Sequence, residues 1–264
     1  MYQGHLPRLA VCLHDKKFID SIGHVFVDEA HNIFTSGTKK HEQPPFRPAW
    51  GALDEVRARL PKATTWQALS ATLPLHILKR VDENLSFPQT RRLLRLSINR
   101  RNISYAVHTL VNGIQDFHNL DCVIPQPFHP PMRLPKLLIV HDNKAEADKA
   151  SSYLNSRLPL AFQSLGVCKH YHGDMSIEYL EETFNGFADP DGSTLILDGT
   201  AGAGTGIDVQ GIDGVIQYGL CADVAETFQR GGRAGRDTLR DAFFVIMVEP
   251  WVADLDISSR TITR

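Results

Sequence analysis

Four cysteines in 264 residues, Cys12, Cys122, Cys168 and Cys221, stand far apart, and no two share a C-x-x-C spacing. That leaves neither a zinc ribbon nor a disulfide framework, and it suits a reducing compartment in which all four stay thiols. Long apolar runs are missing too. None approaches the roughly 20 residues of a membrane-crossing helix. Within residues 1–17 the apolar stretch is only 9–13, too short for a secretory leader. An intracellular protein without membrane contact is expected. Charge of neither sign dominates, since 28 Lys and Arg face 30 Asp and Glu for a net charge of -2. A uniformly basic nucleic-acid coat is thereby excluded, but a local basic track is not, because the field that matters is the one at the site. The sequence has no internal repeat, no low-complexity tract and no Gly-Lys dipeptide, hence no G-x-x-x-x-G-K-S/T phosphate loop.

The remainder is ordinary for a globular chain, 42% hydrophobic and 22% charged, and long enough for one large or two modest cores. Short β-branched runs alternate with helical periodicity, the pattern of a parallel α/β sheet. Strands are predicted over residues 24–27, 66–70 and 93–98, then over 137–140, 168–171, 194–197, 214–218 and 243–248. Helical spacing sets Leu53, Val56 and Leu60 on one face, and likewise Ala147, Ala150 and Leu154. Five prolines within 125–135 exclude a regular element there. Two α/β lobes follow, residues 1–104 and 136–264, joined by a linker over 105–135. The first has too few strands to be a complete sheet.

Several clusters carry chemistry. Val25-Phe26-Val27-Asp28-Glu29-Ala30-His31 is an apolar strand ending in paired carboxylates. At the carboxyl edge of a parallel sheet, one carboxylate can hold Mg²⁺ and the next can orient a water. Residues 199–208 form a glycine-rich run after a strand, which lets backbone approach a phosphate while Thr200 donates to it. Its spacing is not G-x-G-x-x-G, so a dinucleotide fold is not indicated. Gln229-Arg230-Gly231-Gly232-Arg233-Ala234-Gly235-Arg236-Asp237 places Arg233 and Arg236 on one helical face, as planar donors suited to a γ-phosphate. Arg91, Arg92, Arg95, Arg100 and Arg101 can track phosphates or simply form a solvated face. His170-Tyr171-His172-Gly173-Asp174 resembles the start of a zinc site. However, Met175 replaces the next histidine and no later His and Asp cluster follows, so zinc is not expected.

In order along the chain, these pieces resemble RecQ-like superfamily-two DNA helicases of the DEAH-box type. Val25–His31 resembles their Walker B motif and Ser70-Ala71-Thr72 their motif III. Phe46-Arg47-Pro48-Ala49-Trp50 is similar to the stretch after the DEAH box, and Asn99–Tyr105 to the segment closing the first lobe. Tyr171-His172-Gly173 resembles the second-lobe Y-H-A/G-G element, residues 198–208 motif V and 229–237 motif VI. The resemblance implies two RecA-like parallel-sheet lobes, the first truncated at its N-terminus. It implies ATP and Mg²⁺ as cofactors, with Asp28 on the metal, Glu29 activating water, and His31 in the nucleotide site. It makes Arg236 an arginine finger and Arg233 a second phosphate contact, with Gln229 positioning. Asp208 would meet the ribose or a motif VI arginine. Phe46, Arg47, Ser70, Thr72, His172 and Thr200 would face nucleic acid.

The implied activity is three-prime to five-prime unwinding of single-stranded or forked DNA, coupled to ATP hydrolysis, in repair and recombination and in the nucleus if the source is eukaryotic. The absent phosphate loop predicts a partial motor that is inactive alone. The alternative expectation is a degenerate relative that binds nucleic acid or a partner without hydrolysing ATP.

Overall fold

A computed structural model describes residues 8–39, 42–128, 133–221, 223–237 and 240–254. The chain divides into two compact units, Met1–Ile98 and Asn99–Arg264. None of the described helices is long and apolar enough to cross a membrane.

The first unit runs α1 (Arg8–Cys12), α2 (Lys16–Ser21), β1 (His24–Val27), α3 (Asn32–Thr35), a 3₁₀ turn (Pro48–Ala52), α4 (Leu53–Arg59), β2 (Thr65–Ala68) and α5 (Leu75–Asn84). β1 and β2 pair in parallel, Val27 opposite Ala68. Val27, Ala30, Ile33, Trp66, Ile77, Val81 and Leu85 form its core. The helix expected from the spacing of Leu53, Val56 and Leu60 is preceded by the 3₁₀ turn, with Pro48 at its first positions, and is α-helical from Leu53. Residues 93–98 form no strand. Their alternation describes an extended chain, but a strand also needs a paired neighbour. Leu94, Leu96 and Ile98 are exposed instead.

The second unit runs β3 (Ile103–Thr109), a 3₁₀ segment (Phe117–Val123), β4 (Leu137–His141), α6 (Lys144–Ser156), α7 (Leu160–Gln163), β5 (Cys168–Tyr171), α8 (Ile177–Ala188), β6 (Ile196–Gly199), α9 (Ala201–Gly206), β7 (Gly214–Tyr218), α10 (Val224–Gly231) and β8 (Ala242–Val248), then a last 3₁₀ turn (Pro250–Asp254). The six strands stand in the order β3-β8-β7-β4-β6-β5, all parallel. This is the α/β parallel-sheet architecture expected.

β4 and β7 are buried on both faces, as an all-parallel sheet requires. Period-two alternation divides their side chains between two cores. Leu137, Ile139, Ile216 and Tyr218 enter one, while Leu138, Val140 and Val215 enter the other. Side chains cap the helices that carry the strands across. Asn143 accepts from Ala145 N–H, Ser176 from Tyr179 N–H and Asp223 from Ala225 N–H.

Residues 105–135, expected as a linker, instead supply β3 and the 3₁₀ segment to this unit. Leu120, Val123 and Ile124 are buried in its core, and Tyr218 Oη donates to Asp116 O at 2.9 Å. Apolar side chains every three or four residues anchor the stretch despite its prolines. Residues 129–132, with Pro130 and Pro131, lie outside the described residues.

Candidate functional site

In the first unit the carboxyl ends of β1 and β2 lie side by side, so the two loops that leave them meet. Leu69 N–H donates to Val27 O and Ala30 N–H to Leu69 O, both at 2.9 Å. Asp28 and Glu29 therefore sit on a tight bend at the sheet edge, both exposed. Glu29 has φ +48, a left-handed backbone that a non-glycine residue seldom adopts. Its amide donates to Asp28 Oδ1 at 2.8 Å.

His31 is buried behind this bend. Its Nδ1 lies 3.2 Å from Glu29 Oε2 and 3.0 Å from Ser70 Oγ. Ser70 Oγ donates its own proton to Thr72 O at 3.0 Å and accepts from Thr72 N–H at 3.2 Å. A carboxylate only accepts, so a proton on Nδ1 serves both the Glu29 and the Ser70 contact. Glu29, His31, Ser70 and Thr72 are thus one connected unit. Phe46 and Arg47 are exposed, with the guanidinium 5.4 Å from the ring centroid.

In the second unit the sheet order reverses around β4, between β6 and β7, and ligands of open α/β sheets bind beyond the carboxyl ends at such a point. α10 and the turn after it run past this edge. Arg233 Nη1 donates to Ile207 O at 2.8 Å, and Arg236 forms an ion pair with exposed Asp208. The arginine pair is therefore tied to the end of the glycine-rich run. Burial, with Arg100 nearby, lowers the Arg236 pKa. Gly235 has φ +51 and its carbonyl accepts from Arg100 and Asn102. Gln229 is partly buried on α10. Thr200 stands at the residue before α9 without a side-chain bond to the helix, and its amide reaches Tyr171 O at 3.4 Å.

The structure brings Asp208, Arg233 and Arg236 together, as it does Glu29, His31, Ser70 and Thr72. His172 is different. Only 4% of it is exposed and its Nε2 lies 2.7 Å from Asp148 Oδ1, so its ring is turned inward. Of the five arginines read as a phosphate track, Arg91 pairs with Asp82, Arg95 donates to Leu73 O and Arg100 to Gly235 O.

Sequence reading missed the buried polar cluster at the same edge. His141 Nε2 lies 3.0 Å from Asp198 Oδ1, and both residues are fully buried. Buried Arg230 donates to Asp142, Gln217 and Glu226, each at 2.6 Å. Burial raises the Asp198 carboxyl above the usual carboxylate range, against the opposing pull of His141. A polar residue closing an apolar run, His141 after 137–140 or Asp198 after Leu195–Leu197, was the available signal.

The comparisons with known proteins bear on this second edge. Residues 132–238 match the helicase conserved C-terminal domain. The chain is also similar, at 27% identity over 216 residues, to ATP-dependent helicase wrn-1 of Caenorhabditis elegans, covering 80% of this chain and 18% of that protein. It is similarly related to ATP-dependent RNA helicase FAL1 of Candida albicans, 25% identical over 218 residues, covering 80% of this chain and 47% of the relative. The chain thus spans less than half the length of these curated relatives. Among solved structures, S. cerevisiae Dbp5 bound to RNA and ADP BeF3 superposes with a TM-score of 0.61 at 19% identity, over 91% of this chain and 57% of that one. That likeness shows a shared fold. The matched residues 132–238 include the glycine-rich run, the arginine pair and the buried polar cluster.

Proposed function

We propose that this chain is part of a nucleotide-driven nucleic-acid helicase of superfamily two, and more finely of the RecQ-like DNA-unwinding kind. The observation that carries the proposal is the attachment of Arg233 and Arg236 to Ile207 and Asp208. Rigid, paired guanidiniums held by a loop suited to phosphate or sugar are what a phosphoryl-transfer site needs for stabilising growing γ-phosphate charge. In the first unit, Asp28 fits a role in holding Mg²⁺ and Glu29 a role in orienting water. The His31–Ser70 bond fits a link from that carboxylate to the motif whose Thr72 would feel nucleic acid. Gln229 and Asp208 would complete the nucleotide contacts, and Thr200, Phe46 and Arg47 those to the strand.

The DNA assignment rests on the residue pattern around Asp28–His31, Phe46–Trp50 and Asn99–Tyr105. Relatives named for RNA and for an unspecified helicase substrate stand at similar identity. A second reading is binding of nucleic acid or a partner without hydrolysis. Purified chain assayed for ATP hydrolysis with single-stranded DNA, single-stranded RNA or neither separates these readings. Turnover stimulated by DNA and lost in both Glu29→Gln and Arg236→Ala supports the RecQ-like reading. Stimulation by RNA alone replaces it with an RNA helicase. Absence of turnover is what a partial motor predicts as well, so binding decides between the two: nucleic-acid affinity changed by ATP supports the motor reading, and affinity that ignores ATP supports the second.

A further inference from the structure

His170 and His172 lacked further metal ligands in the sequence pattern, but the fold supplies one from upstream. His170 lies on β5 and His172 just past its end, and side chains two apart on an extended chain project to the same face. α6 packs against β5 and brings Asp148 to that face. Asp148 Oδ1 stands 2.7 Å from His172 Nε2 and 3.9 Å from His170 Nε2, and the three donor atoms all lie within 4.8 Å of one another. Donors around a tetrahedral Zn²⁺, bound at about 2.0–2.1 Å, are roughly 3.3 Å apart. The two observed separations straddle that value, and the third, between the two imidazoles, is within 4.8 Å. Met175 Sδ adds a thioether 3.1 Å from His170 Nε2. His172 is buried, while His170 and Asp148 are partly exposed, so the set is anchored on one side and open to solvent on the other.

We infer that Asp148, His170 and His172 form a binding site for a divalent first-row transition ion of the Zn²⁺ class, which fastens α6 to the edge strand β5. Two imidazoles and one carboxylate are the donors such ions accept, whereas Mg²⁺ favours oxygen alone. Without metal, His172 Nε2–H donates to Asp148 while Asp174 N–H approaches Nδ1 at 3.4 Å. Coordination moves the ring proton to Nδ1 and gives up that contact, which is too long to be worth much. His172, which the resemblance would turn toward nucleic acid, is here a ligand, while none of the residues assigned above to the nucleotide is one, so the site can be tested apart from ATP hydrolysis.

Co²⁺ titrated into the tag-free 264-residue chain provides the probe, because its visible absorption reports four-coordinate geometry. The expected result is one equivalent of Co²⁺, displaced by Zn²⁺, lost in Asp148→Ala and in His170→Ala and retained in His118→Ala. Both ligand positions are partly exposed, and far-UV circular dichroism establishes that the variants fold. Loss of a ligand should weaken binding by more than the roughly 10–100-fold typical of changes behind the ligands. Retention of the Co²⁺ spectrum in Asp148→Ala and His170→Ala overturns the site, as does the absence of any such spectrum up to millimolar Co²⁺.

Discussion

At Gly235 a single missing carbon decides whether the arginine loop closes. The residue sits at φ +51, and an added Cβ would meet Ala242 Cβ and Asn102 Nδ2, each at 2.7 Å. Asn102 is also one of the donors to the Gly235 carbonyl, at 2.8 Å. Gly235→Ala thus combines left-handed strain with overpacking, and should destabilise the second unit by about 2–4 kcal/mol. A urea midpoint within experimental error of the wild type would show that the loop can relax. Glu29 is the counterpart in the first unit, since it holds a left-handed backbone with a side chain attached. There the geometry is held by Ala30 N–H donating to Leu69 O and by the Glu29 N–H donating to the Asp28 carboxylate. A sequence exposes the identity of such residues but not their φ. The Asp28-Glu29-Ala30-His31 pattern was legible, while the proton that His31 shares between Glu29 and Ser70 was not.

Elements were legible where one periodicity had one physical outcome. β4 and β7 read directly, because a short β-branched run with buried neighbours on both sides has few alternatives. α6 read with the correct inward residues, Ala147, Ala150 and Leu154, all fully buried. The extended run at 93–98 misled because alternation does not reveal whether a paired strand exists, and residues 105–135 misled because prolines masked three buried apolar anchors.

The strand ends hide more. His141 ends β4 and Asp198 lies within β6, and their union depends on β4 pairing with β6 rather than with β5, an order no local signal specifies. That pairing has a measurable pH signature. Burial raises the Asp198 carboxyl pKa, so the folded chain holds that proton more tightly than the unfolded chain does. The associated stability is present below the unfolded value and is lost as pH rises through the folded one. Asp198→Asn keeps an acceptor for His141 but has no such proton. The stability of wild type relative to Asp198→Asn should therefore improve as pH falls from about 7 toward about 4. Parallel urea curves at several pH values measure this, and a constant difference would mean that Asp198 is not strained by its burial.

Across the whole molecule the two units are unequally built. One has a six-stranded parallel sheet with a separate apolar cluster on each face. Among its described residues the other has two strands of four residues and a single cluster. Parallel sheets are stable when both faces are covered and several strands cooperate, and a two-stranded sheet leaves most of its backbone at an edge. Opening free energies should therefore differ by unit. Amides of β4 and β7 should exchange only on unfolding of the second unit, whereas those of β1 and β2 open at lower cost. Native-state hydrogen exchange read by mass spectrometry gives the comparison directly. Protection of β1 equal to that of β4 would mean that the core around Ala30, Ile33 and Leu85 stabilises its short sheet as well as the larger one is stabilised. The expected inequality also bears on chemistry. Asp28, Glu29 and His31 sit on the bend that the β1–β2 pairing creates, so opening of those strands disperses the carboxylates. Arg233 and Arg236 stay assembled on the more stable sheet.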